Sequence, residues 1–112
     1  MSGLARESLN EGGSPIPVVG QGTTTVITVG VDAAVAYIAI GSAPDATVAG
    51  ARVPITPNIA EYFRAVPGVS KVSALAGATN NVMGSAVSAD TTVIRVFYNA
   101  GAGQVSVMEG LK

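Results

Sequence analysis

The chain has 112 residues, six basic and seven acidic, and a formal net charge of −1. It contains no His, Cys or Trp, and 12% of it is charged, against about 25% in an average domain. Those absences exclude a Ser/His/Asp or Cys/His nucleophile, a disulfide framework and metal sites built on Cys or His, and the length fits one domain.

Residues 1–22 stand apart from the domain at residues 23–112. They hold Gly12-Gly13, Pro15, Pro17, Gly20 and Gly22, and Pro15-Ile16-Pro17 imposes an extended path. This segment is either a disordered tail or an arm that orders against a neighbouring subunit through Ile16, Val18 and Val19. It has no apolar signal-peptide core.

Residues 23–29 are rich in β-branched Thr, Val and Ile and predict a strand. Gly30 and Asp32 mark a turn, and residues 33–40 predict a second strand, apolar on both faces. Such a strand sits between layers or under a partner. Residues 41–47 form a loop with Pro44 and Asp45. Residues 52–55 can form only a short or edge strand, because Pro54 cannot donate to a ladder.

Residues 60–66 alternate as a strand that ends at Pro67-Gly68. Residues 69–76 follow, with Val72, Ala74 and Ala76 on one face and Val69, Lys71, Ser73 and Leu75 on the other. Residues 77–84 are polar and small around Asn80-Asn81 and predict a loop. Residues 91–99 are the clearest strand, and Phe97 is its expected core aromatic. Gly101-Ala102-Gly103 then turns into a last strand at residues 104–108, closing a terminal hairpin.

Six to eight short strands with little helix predict an all-β fold, a β-sandwich or small jelly roll with an extended N-terminal arm. Much of the 48% hydrophobic content is alanine, so the core is expected to be thin and helped by assembly.

Few residues offer reactive chemistry. Lys71 shares a strand face with Ser73, but a catalytic Lys needs burial to lower its pKa. Asp32, Asp45, Glu61 and Asp90 lie far apart, and the Asp residues sit beside turns that they can cap. Asn80, Asn81 and Asp90 lack the alternating acidic spacing of a calcium loop. No enzyme activity, cofactor or metal is expected. The basic residues are scattered, so no nucleic-acid partner is expected, and no apolar stretch reaches the ~20 residues of a membrane span. Residues 61–64 read either as a strand with one aromatic in the core or as a contact patch in which Tyr62 and Arg64 face outward together, both being residue types that favour such patches.

Several short motifs recur together: residues 39–47, which end in Gly41-Ser42-Ala43-Pro44-Asp45-Ala46-Thr47, then Val53-Pro54-Ile55, Glu61-Tyr62-Phe63, Val66-Pro67-Gly68 and Lys71-Val72-Ser73-Ala74-Leu75. Together they resemble small structural proteins of tailed bacteriophages, the capsid decoration or cement proteins. The resemblance covers residues 33–108 and leaves the N-terminal segment unassigned. It implies a β-sandwich or jelly-roll module in the virion that oligomerises and clamps the major capsid protein, after assembly in the host cytoplasm. A homotrimer is the first expectation and a homodimer the second. The alternative is a head-fibre, tail-fibre or receptor-binding module. A carbohydrate-binding version would rely on Tyr37, Tyr62 and Tyr98, since Trp is missing.

Overall fold

The computed structural model describes residues 23–111. Eight strands follow in chain order: β1 (Thr24–Thr28), β2 (Ala36–Gly41), β3 (Val53–Ile55), β4 (Glu61–Arg64), β5 (Lys71–Ala76), β6 (Thr79–Val82), β7 (Thr91–Asn99) and β8 (Gln104–Leu111). They form two four-stranded antiparallel sheets, ordered β1-β8-β7-β4 and β3-β2-β5-β6. The predicted all-β sandwich is the fold.

Period-two alternation decides what is buried. Ile94, Val96 and Tyr98 of β7 and Val105 and Val107 of β8 point inward, against Ile38 of β2 and Val72, Ala74 and Ala76 of β5. Phe63 of β4 and Ile55 of β3 complete the core and are fully buried. Alanine occupies several core positions, including Ala36, Ala74 and Ala76, which lets the sheets pack closely. Of the two faces of β5, the one bearing Val72, Ala74 and Ala76 is the inward one.

Part of one face of the sandwich is covered by the chain itself. Residues 42–52 fold over the outer face of β2 and β5, and a 3-10 turn, Ala49–Ala51, lies within them. The Ala46 amide donates to Ser73 Oγ at 3.0 Å, and Ser73 Oγ donates to Asn80 Oδ1 at 3.0 Å. Arg52 donates to the Ala46 carbonyl at 3.2 Å and lays its guanidinium 3.9 Å from the centre of the Tyr37 ring. Ala39, Ala46 and Ser73 are buried as a result. The two-sided apolar character of residues 33–40 therefore reflects a layer made by the chain's own loop.

Five expectations need correction. The strands expected at residues 60–66 and 69–76 are shorter, Glu61–Arg64 and Lys71–Ala76, because Val69 and Ser70 belong to a turn in which both amides donate to the Val66 carbonyl. Residues 79–82 form β6 and not a loop, because Gly77, at φ 62°, turns the chain so that Asn80 and Asn81 pair with Leu75 and Ala74. The second strand starts at Ala36, not at residue 33. Asp32 is held at φ 54° and the Ala33 amide donates to the Tyr98 hydroxyl, which bends the chain before the ladder begins. Tyr98, not Phe97, is the core aromatic of β7, since the inward positions of that strand are Ile94, Val96 and Tyr98. The last strand runs on to Leu111, because β7 is long enough to pair with it through Thr91.

Candidate interaction surface

The outer face of the β1-β8-β7-β4 sheet is built from the residues that alternate with the core. Register sets them in rows. Thr24, Met108, Arg95 and Tyr62 stand side by side across all four strands. Val26, Ser106 and Phe97 form a second row, and Gly110, Val93 and Arg64 a third. Val26 and Arg64 are exposed, while Tyr62, Val93, Arg95, Phe97 and Met108 are half-buried.

This face combines apolar and aromatic area with positive charge. The Arg95 guanidinium lies 5.6 Å from the centre of the Phe97 ring, within cation–π range. Arg64 and Arg95 are the charged residues in these rows, and the described positions of the face include no acid. Tyr, Phe, Met and Arg are the residue types enriched at protein contacts, where Lys, Glu and Asp are depleted.

The structure places Tyr62 and Arg64 together on this face, as their spacing predicted. Between them, Phe63 points the other way and is fully buried. Ile16, Val18 and Val19 lie outside the described residues. Sequence reasoning missed Arg95, Phe97 and Met108 as neighbours of Tyr62. The alternation of Arg95 and Phe97 along β7 was a visible signal, but the β4–β7 pairing that brings them beside Tyr62 spans about thirty residues of chain.

The remaining candidates are engaged in the architecture. A shallow cleft of about 460 Å³ is lined by Ser42, Asp45, Lys71, Ser73 and Asn80. Within it, Ser73 Oγ already bonds the Ala46 amide and Asn80. Outside it, Ser70 Oγ accepts from the Val66 amide at 2.8 Å. The Asp45 carboxylate accepts from Thr47 Oγ1 at 2.6 Å and from the Thr47 amide at 3.0 Å. These two bonds hold its pKa below the ordinary value. Glu109 is buried and accepts from the Ser88 amide and from Thr91 Oγ1. Among the described residues, no three acidic side chains gather in a group that could hold a metal ion. Of the tyrosines weighed for sugar stacking, Tyr98 is fully buried and Tyr37 lies under Arg52.

Comparison with protein-family models, with curated proteins and with solved structures found no match.

Proposed function

We propose that this chain is a non-enzymatic structural protein of a virion, a capsid decoration or cement protein that oligomerises and docks on the major capsid shell. The observation that carries the reading is the contrast between the two sheets. One outer face is partly covered by residues 42–52, which bury Ala39 and Ser73 and leave Val82 exposed. The other presents Tyr62, Phe97, Met108 and Val26 beside Arg64 and Arg95. A face of that composition suits docking on a protein surface with acidic groups at its rim. The motif resemblance at residues 39–75 supplies the virion setting. Self-association accompanies the docking, as a homotrimer or a homodimer.

Co-sedimentation with shells assembled from the major capsid protein of the same virus tests this reading. Saturable, stoichiometric binding is expected. A chain that stays in the supernatant at every shell concentration overturns it.

A further inference from the structure

The four edge strands of the sandwich differ in how they discourage pairing. β3 carries Pro54, which has no N–H to offer. β4 places Glu61 and Arg64 on its edge, and charge there discourages pairing with another strand. β6 is four residues long and half asparagine, and Asn81 is drawn across to the other sheet, where its side-chain amide donates to the Thr28 carbonyl at 2.8 Å. β1 carries neither charge nor Pro, and Asn81 reaches it at its Thr28 end. Its sequence, Thr-Thr-Val-Ile-Thr, is β-branched throughout, with no charge, Pro or Gly.

The register of β1 shows which of its backbone groups face outward. The Glu109 amide donates to the Thr23 carbonyl, and the Val29 amide donates to the Gly103 carbonyl. Antiparallel ladders alternate, so residues 23, 25, 27 and 29 direct their N–H and C=O groups at β8. Thr24, Val26 and Thr28 direct theirs away from the sheet. The side chains of the same three residues lie on the outer face and are exposed, Val26 by 51%.

We propose that β1 is a self-pairing edge, joining a second copy of this chain about a twofold axis through Val26. An antiparallel pair centred there sets Val26 opposite Val26 and Thr24 opposite Thr28. All of these are positions whose backbone groups face outward. Each exchanges hydrogen bonds with its counterpart, and the Thr28 carbonyl has a second lone pair for this beside the one used by Asn81. The two exposed valines cover each other, and no charged pair opposes the contact. The product is a continuous eight-stranded sheet and a closed dimer. This specifies the self-association within the proposed function, and it selects the dimer over the trimer.

The absence of Cys from the chain makes the test direct. In a hydrogen-bonded antiparallel pair the facing Cα atoms are about 5.5 Å apart, within disulfide reach. The full-length Val26→Cys variant should therefore oxidise to a covalent dimer. Val48→Cys, equally exposed at 50% but on the loop over the other sheet, should not. Val26→Pro removes only an N–H that β8 does not use, so the fold should persist while dimer affinity falls about tenfold or more. Val26→Lys, at the same solvent-facing position, should also yield monomer. A wild-type chain that sediments as monomer, trimer or an open series overturns the edge pairing. So does a Val26→Cys thiol that fails to couple, or a Val26→Pro variant that dimerises as wild type does. Shell binding is measured separately, so failure of the edge and failure of capsid docking are distinguishable.

Discussion

The Tyr98 hydroxyl donates to the Gly30 carbonyl at 2.7 Å and accepts from the Ala33 amide at 3.0 Å. One side chain on β7 thus satisfies two backbone groups in the connection between β1 and β2, which crosses from one sheet to the other. Tyr98→Phe keeps the ring packing and strands both groups. The expected cost is about 1–3 kcal/mol, read as a lowered denaturation midpoint with an unchanged far-UV spectrum. An unchanged midpoint would show that the hydroxyl anchors nothing.

Gly103 closes the β7–β8 hairpin at φ 65°, and a Cβ there would sit 2.8 Å from both the Val29 carbonyl oxygen and Val31 Cγ1. Gly103→Ala should destabilise by about 1–3 kcal/mol through backbone strain and steric overlap. Gly41→Ala, where nothing lies within 4 Å of the added carbon, should be close to neutral. Thermal unfolding of the two variants checks the contrast.

Glu109 is 6% exposed, and its Oε1 accepts from the Ser88 amide at 2.9 Å and from Thr91 Oγ1 at 2.8 Å. It ties the segment before β7 to β8. Glu109→Leu should cost about 1–3 kcal/mol, since both donors lose their acceptor. Glu109→Gln keeps an acceptor oxygen and should cost less. Equal losses in denaturant titrations of the two variants would contradict this role.

Asp45 is exposed, and its carboxylate is held below the ordinary value near 3.8, first by the Thr47 hydroxyl and then by the Thr47 amide. A lowered folded-state pKa means the contribution is complete above the unfolded value and is lost as pH falls through the folded one. The Thr47 amide resonance should therefore titrate with a midpoint below 3.8 in the native protein. Asp45→Asn should remove that titration. A midpoint above 3.8 reverses the sign and rejects the account.

Arg95 and Phe97 lie on the outer sheet face with Tyr62 beside them. Arg95→Glu, and separately Tyr62→Ala, should leave the unfolding midpoint nearly unchanged, as partly exposed surface substitutions usually do. Both should reduce shell co-sedimentation severalfold, with Arg95→Glu the more sensitive to added salt. Retained binding by both variants would move the contact to another surface.

Much of the fold was legible because strands declare themselves locally. The β-branched run of β1, the alternation of β5 and the Gly-rich turn between β7 and β8 carry their own signals. The failures share a cause. Asn80 and Asn81 are poor strand formers by composition, and a tight turn at Gly77 recruits them to β5 all the same. Phe97 and Tyr98 are adjacent aromatics, and pairing with β8 decides which one faces inward.

By itself the sequence determined the class of fold and the poverty of reactive groups. Composition and period-two patterning belong to neighbouring residues and need no partner to be read. Only the tertiary structure decided which outer face is covered and which is presented, and which edge strand lacks protection. Those properties come from pairings between distant segments, such as Ala46 with Ser73 and Tyr62 with Arg95. In a sheet, one residue of register moves every side chain to the opposite face.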